Sequence, residues 1–246
     1  MKYFILSDIH SNLEALQSVM FKSKTIRIDE YVFLGDLVGY GANPNQVVDI
    51  VKKLEPIIAV RGNHDKAAVE LSDASDFNYA AKDAALWTRD KLSKENKGYV
   101  KQLSEGPVDQ DDLFCIMHGS PWDEEYYILS PRSVYKAIEY SDKQVKFFGH
   151  THIPVIWSLK TNELSGQAVK SDYHKLSIDE DTKYLINPGS VGQPRDNIPK
   201  ASMVVFDTDK MEIEFFRLDY NIEETQRKII KAELTPYLAE RLSYGR

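Results

Sequence analysis

Lys2-Tyr3-Phe4-Ile5-Leu6-Ser7-Asp8-Ile9-His10 starts as an apolar run and ends in a carboxylate and an imidazole two residues apart. The run Tyr3–Leu6 reads as a strand. Four further stretches repeat the arrangement. Tyr31–Leu34 precedes Gly35-Asp36, and Ile57–Val60 precedes Gly62-Asn63-His64-Asp65. Leu113–Met117 precedes His118-Gly119, and Val145–Phe148 precedes Gly149-His150-Thr151-His152. Ligands of α/β sheets bind in the crevice beyond the carboxyl ends of the strands. Strand ends that deliver Asp, His and Asn to one rim therefore predict a metal site.

Outward from the first strand, Ser11-Asn12-Leu13-Glu14 has capping-box spacing ahead of a helical pattern at Leu13, Leu16 and Met20. Strand Tyr31–Leu34, helix Asn45–Leu54 and strand Ile57–Val60 follow, a β-α-β-α-β rhythm that predicts parallel strands joined by crossover helices. Residues 66–105 read as helical, with an apolar stripe of Ala80, Ala81, Ala84, Ala85, Trp87 and Leu92. A helix over Ser133–Tyr140 leads to strand Val145–Phe148. Pro154–Leu159, Thr182–Ile186, Ala201–Asp207 and Glu212–Leu218 are β-rich, as in an antiparallel or mixed second sheet. Asn221–Leu242 closes with helices interrupted at Thr235-Pro236. Periodicity alone supports an α/β fold.

The chain has 246 residues and 42% apolar content, which suits one α/β domain spanning 1–246. Its formal net charge of −7 argues against long nucleic acid as a partner, because such binding needs clustered Lys and Arg. It leaves small phosphorylated substrates open. Cys115 is the sole cysteine and sits in an apolar run, so it reads as a buried thiol. The apolar start turns polar at Ser7, too soon for a signal peptide, and no stretch approaches the ~20 apolar residues of a membrane span. A cytoplasmic location is expected. His174 reads as a surface histidine, and Asp179-Glu180-Asp181 as a solvated hairpin turn.

Alternation along a strand would aim Asp8 and His10, and likewise His150 and His152, to one side. Asp36 can bridge two cations through its separate oxygens, and the Asn63 carbonyl is a neutral hard ligand. Imidazole, carboxylate and carbonyl oxygen without thiolate suit Mn, Fe, Zn, Ni or Co. Any one fragment is cheap: Asp-x-His arises by chance, and a lone histidine is usually structural. The conjunction after successive strands is what carries the reading.

The set and its order resemble the calcineurin-like metallophosphoesterases, in particular their small bacterial phosphoesterase and phosphodiesterase group. The resemblance extends to Gly39-Tyr40-Gly41, His118-Gly119-Ser120-Pro121 and Asn187-Pro188-Gly189-Ser190-Val191-Gly192-Gln193-Pro194-Arg195, over most of residues 1–207. It implies a four-layer αββα sandwich of two mixed sheets flanked by helices. It implies two divalent metal ions, one held by Asp8, His10, Asp36 and His152, the other by Asp36, Asn63, His118 and His150. Two such ions, two carboxylates and a bridging hydroxide leave a net charge of about +1 for an anionic phosphoester.

The implied reaction is in-line attack of a metal-bridging hydroxide on a phosphodiester or nucleotide phosphoanhydride, with His64 as general acid. Asp65 would orient His64 or pair elsewhere. A broad phosphomonoesterase is the alternative, and a catalytically silent scaffold or a nuclease fits the residues less well. Protein phosphatases of the superfamily carry G-D-x-V-D-R-G, whereas this chain has Gly35-Asp36-Leu37-Val38-Gly39-Tyr40-Gly41. The acid and the arginine that serve those enzymes are absent. Arg195 is a candidate for a substrate phosphate or for pinning its loop to Asp196. Tyr40 and Trp122 are candidates for stacking on a nucleobase, and Trp87 belongs more naturally to a core stripe. Asn187–Ser190 reads as a tight turn supporting the metal rim.

Overall fold

The computed structural model describes residues 1–55, 57–110 and 112–246. Its first half alternates as the sequence predicts: β1 (Lys2–Leu6), α1 (Leu13–Ser23), β2 (Glu30–Phe33), α2 (Pro44–Val51) and β3 (Ile57–Ala59). Three helices follow, α3 (Asn63–Ala68), α4 (Tyr79–Lys91) and α5 (Lys94–Lys101). Then come β4 (Val108–Gln110), β5 (Phe114–Ile116), α6 (Pro131–Ile138) and β6 (Val145–Phe147). The β-rich part holds β7 (Val155–Lys160), β8 (Glu163–Ala168), β9 (Tyr173–Ser177), β10 (Lys183–Asn187), β11 (Ala201–Asp207) and β12 (Glu212–Leu218). Helices α7 (Ile222–Lys231) and α8 (Pro236–Glu240) lead into a 3₁₀ turn, Arg241–Tyr244.

Two mixed six-stranded sheets result, ordered β3-β2-β1-β11-β12-β9 and β4-β5-β6-β10-β7-β8. β1, β2 and β3 run parallel, and β11 pairs antiparallel with β1. In the second sheet β5, β6 and β10 run parallel. Alternation along each strand sorts side chains into layers. Tyr3 and Ile5 of β1 face the other sheet, meeting Phe114, Phe147 and Ile186 in the central core. Phe4 and Leu6 face the opposite way, onto Leu16 and Val19 of α1 and Val47 and Val51 of α2. On the outer face of the second sheet, Cys115 and Leu185 pack against Val134, Ala137 and Ile138 of α6. This is the αββα sandwich. Each fully buried Phe or Ile contributes about 1.5–3 kcal/mol of transfer free energy, and both faces of both sheets carry them.

The structure departs from the sequence reading in four places. Helix 66–105 is not continuous: α3 ends at Ala68, and the next helices begin afresh where Asn78 and Ser93 cap Ala81 and Asn96. Polar caps there override the alanine-rich stripe. Strands β4, β8 and β9 went unread. β8, Glu163–Ala168, is almost wholly exposed and owes its conformation to the β7 ladder rather than to an apolar pattern. Asp179–Asp181 is exposed as expected, but it links β9 of one sheet to β10 of the other and so is no hairpin. His174 is half-buried, its ring 6.2 Å from that of Phe215.

Candidate metal centre

The candidate ligands sit just past the strand ends. β1 leads to Asp8 and His10, β2 to Asp36, β5 to His118, and β6 to His150 and His152; Asn63 opens α3 beyond β3. The alternation argument for the Asp-x-His pair does not hold, because Asp8 and His10 lie beyond the last residue of β1. What converges them is left-handed backbone: φ is 54° at Asp8, 50° at His10, 55° at Asp36, 64° at His150 and 60° at His152. Non-glycine residues pay about 1–2 kcal/mol each for that conformation, and such strain persists only where surroundings over-determine it. Those surroundings are visible. Asp8 N–H donates to the Gly35 carbonyl (3.1 Å) and His10 N–H to that of Asp36 (2.9 Å). The hydroxyl of Ser190 donates to the Asp8 carbonyl (2.8 Å), and the Asn187 amide to those of Gly149 (2.7 Å) and the Thr151 hydroxyl (3.0 Å). The Asn187–Ser190 turn thus braces the rim.

Two groups of donor atoms form, Asp8, His10, Asp36 and His152 in one and Asp36, His118 and His150 in the other, with the atoms of each group within 4.8 Å of one another. All are buried. Asn63 joins the second group, its Oδ1 3.1 Å from His118 Nε2. Asp36 belongs to both: Oδ2 lies 3.5 Å from His10 Nε2 and 3.4 Å from His118 Nε2, while Oδ1 accepts the His64 N–H at 2.9 Å.

The tautomers favour metal. Nδ1–H of His10 donates to the Val38 carbonyl (3.1 Å), that of His118 to Leu34 (2.7 Å) and that of His152 to Gln193 (2.6 Å). Each ring therefore turns the lone pair of Nε2 inward, the arrangement that outer carbonyls impose on metal-ligating histidines. His150 instead gives Nε2 to the Glu125 carbonyl (3.0 Å), which leaves Nδ1 as its donor atom. Nε2 of His10 and Nε2 of His152 stand 3.1 Å apart. Lone pairs brought that close need a shared cation or proton. The donor set fits divalent metal.

Electrostatics agree. Burial, followed by the proximity of His118, pushes His150 down to about 3. Burial also holds His10 and His152 below the usual imidazole range. Three rings are thus neutral, as ligands must be. Burial opposes protonation of His118 too, but Asp36 outweighs it and raises this histidine to about 10.

Beside the donors lies a cleft of about 600 Å³ lined by Tyr40, His64, Phe77, Asn78, Tyr127 and His150, among others. His64 stands at its inner wall between Tyr40 and Phe77, ring centroids 4.3 and 4.7 Å away. Its Nδ1 is buried without a hydrogen-bond partner among the described residues, so Nε2 is the nitrogen left to face the cleft. Asp65 does not reach the His64 ring. Its Oδ1 accepts the Val38 N–H (3.1 Å) and its Oδ2 the Gly62 N–H (3.0 Å), which ties the Asp36 loop to the start of α3. Arg195 is bound to Gln193 Oε1 (2.9 Å) and Tyr40 OH (3.4 Å), and Asp196 is taken instead by Arg217.

Trp122 packs under Lys136 and beside Tyr126, and Trp87 joins the cluster between α4 and the C-terminal helices. Tyr127 went unread in the sequence. It stacks on His150 at 3.8 Å and 28°, and its only sequence signal was a place shortly after His118-Gly119.

Comparison with known proteins decides the family. The model of the calcineurin-like phosphoesterase superfamily domain matches residues 1–211. This chain belongs to that superfamily. Its calcineurin-like fold accounts for the two six-stranded sheets, and it is a metal-dependent phosphoric ester hydrolase. It is 40% identical over 247 residues to an uncharacterized protein of Methanocaldococcus jannaschii, covering 98% of this chain and 97% of that one. The crystal structure of a metallophosphoesterase from Sphaerobacter thermophilus is similar with a TM-score of 0.87 at 35% identity, over 100% of this chain and 99% of that one. A hypothetical protein from Pyrococcus horikoshii shares the fold at a TM-score of 0.83 and 19% identity, over 100% and 98% of the two chains. Among the described residues no helix is long and apolar enough to cross a membrane.

Proposed function

We propose that this calcineurin-like protein hydrolyses phosphodiester or nucleotide phosphoanhydride bonds at a centre of two divalent transition-metal ions. The observation that carries the reading is Asp36 Oδ2, shared at 3.4–3.5 Å between two imidazoles of separate donor groups. When bound, such ions would polarise the phosphoryl oxygens and acidify a bound water.

The chain's own residues do the rest. Asp8, His10, Asp36 and His152 would hold one ion, and Asp36, Asn63, His118 and His150 the other. His64 faces the departing oxygen. Attack of water oxygen on phosphorus breaks the bond to the leaving oxygen, the water gives up one proton and the leaving oxygen takes one, so that His64 transfers a proton it regains from solvent. Burial lowers His64 to about 4, so the free imidazole is neutral at pH 7. An anionic ester arriving beside it favours the protonated form that a general acid needs.

The lack of a carboxylate on His64 Nδ1 bears on the substrate. Gly39 lies against that nitrogen, and Asp65 is committed to backbone amides. An unsupported imidazole suits leaving groups that need little help, as a phosphate leaving an anhydride or a p-nitrophenolate leaving a diester. It suits the alkoxide of a phosphoserine less. Tyr40 and Tyr127, flanking the cleft, offer aromatic faces to a base or ring.

The test is turnover of bis-p-nitrophenyl phosphate and p-nitrophenyl phosphate by the Mn²⁺-loaded protein, with Asp36→Asn as control. Metal-dependent turnover that favours the diester and is lost in the variant supports the reading. Preference for the monoester overturns it in favour of a phosphomonoesterase.

A further inference from the structure

The four histidines of the donor groups are not braced alike. His10, His118 and His152 give Nδ1–H to the carbonyls of Val38, Leu34 and Gln193, residues no more than 1% exposed. His150 gives Nε2–H to the carbonyl of Glu125, in a segment whose Asp123, Tyr126 and Tyr127 are exposed. Tyr127 of the same segment stacks on the His150 ring. That segment therefore sets which nitrogen His150 offers to the donor group, and at the rim it needs a fastening of its own.

The fastening is ionic. Glu124 is 7% exposed, and it meets Arg61 (Nε to Oε2, 3.1 Å) and Lys66 (Nζ to Oε1, 2.7 Å). Lys66 also reaches Oε1 of Glu125 at 2.6 Å. The two cations flank Gly62-Asn63-His64-Asp65, and Lys66 lies about one turn along α3 from Asn63. Lys66 thus joins the helix that opens with Asn63 to the segment that holds His150, and both of those residues belong to the second donor group. Close backbone contact completes the arrangement: a Cβ at Gly119, next to His118, would stand 2.6 Å from the Glu124 carbonyl oxygen. The histidines of the first group hang instead on the buried carbonyls of Val38 and Gln193.

We infer that Lys66 is a positioning residue for the second metal group: through Glu124 and Glu125 it sets Asn63 and His150 together, so that the second ion depends on an ion-pair clamp which the first does not need. This rests on the two-ion reading above and goes beyond it, because it makes the halves of the centre unequal. A carboxylate as buried as Glu124 is drawn toward water when a cationic partner is removed, and the neighbouring Glu125 carbonyl moves with it. His150 is then free to turn. The second donor group loses a ligand, while Asp8, His10, Asp36 and His152 keep their places.

Mn²⁺ binding to the metal-free full chain, followed by titration calorimetry and electron paramagnetic resonance, tests it. The wild type is expected to take two ions and to show a spin-coupled signal. K66M should bind the second ion about 10- to 100-fold more weakly, as when a ligand loses its outer support, and the first within about twofold of the wild type. Its spectrum should be that of isolated Mn²⁺ at a concentration that fills both sites of the wild type. K66R should recover most of the second affinity. K52M, which cuts the ion pair of Lys52 with Glu95 between α2 and α5, controls for general loosening and should keep both affinities. Melting temperatures report folding, and Glu125→Gln, which keeps the carbonyl but gives up the ion pair, carries the test if K66M does not fold. Unchanged affinity for the second ion, equal weakening of both ions, or the same loss in K52M overturns the clamp and leaves the two-ion reading standing. A wild type that takes a single ion overturns both. A Lys66-dependent second ion in a protein that turns over no ester refutes the hydrolase reading alone.

Discussion

Replacing Gly39 by alanine separates the positioning of His64 from the holding of metal. A Cβ at residue 39 would stand 2.6 Å from His64 Nδ1 and 2.9 Å from its Cβ and Cγ. Ordinary contact begins near 3.4 Å, so the imidazole must retreat by about 0.8 Å. It has little room, because Tyr40, Phe77 and His10 hold ring contacts to it at 4.3, 4.7 and 5.0 Å. The backbone adds strain: φ is +94° at Gly39, which costs an alanine on the order of 1–2 kcal/mol. A displacement near 1 Å in a catalytic group lowers turnover by up to about 100-fold. We expect Gly39→Ala to lose about 10- to 100-fold in kcat on a phenyl phosphodiester, less on a p-nitrophenyl one, and a few degrees in Tm. Metal content by mass spectrometry should match the wild type. Unchanged turnover of the phenyl ester at full metal content would refute the assignment of His64. Loss of metal would instead show that the Gly39 loop serves the ligands.

Gly62→Ala should do the reverse, since its Cβ would fall 2.1 Å from Asp36 Oδ1; metal content should drop below half, and undiminished metal content would show that the Asp36 loop absorbs the clash. His64→Ala should retain metal and lose about 100-fold or more on the phenyl ester, with metal loss counting against the general-acid role. Cys115 is 1% exposed and burial pushes its thiol up to about 12, so thiol reagents at pH 8 should label it only on unfolding; prompt labelling of the native chain contradicts the packing of α6 on β5. Lys146 is wholly buried, and burial, followed by the charge of Lys183, lowers its ammonium from 10.5 to about 8. The unfolded chain then binds more protons between these values, so stability rises with pH from 8 to 10.5. Lys146→Met should remove about 3 kcal/mol of that rise in denaturant titrations, and an unaltered pH slope would show that the ammonium is solvated.

The parts of this molecule that were legible in the sequence are those where one residue's chemistry suffices. Five apolar runs announced five strands, and each was followed by a side chain with a lone pair to give. That much fixes the parallel core and names the candidate ligands. What the sequence hid was conformation without a residue-type marker. Left-handed φ at Asp8, His10, Asp36, His150 and His152 converges the ligands, yet none of these is glycine. Strand alternation gave a plausible account of the same convergence for the wrong reason. β8 and β9 escaped because pairing, not pattern, makes them strands. Adjacency to His64 left two roles open for Asp65, and α3, which begins at Asn63, turns that carboxylate back to the amides of Val38 and Gly62.

Contacts across long stretches of chain were beyond reach altogether. Tyr127 on His150 is such a contact, and nothing beside Tyr127 in the sequence marks it as part of the cleft. The ligand set, by contrast, must satisfy a metal wherever the fold occurs, so motif order can report the reaction class.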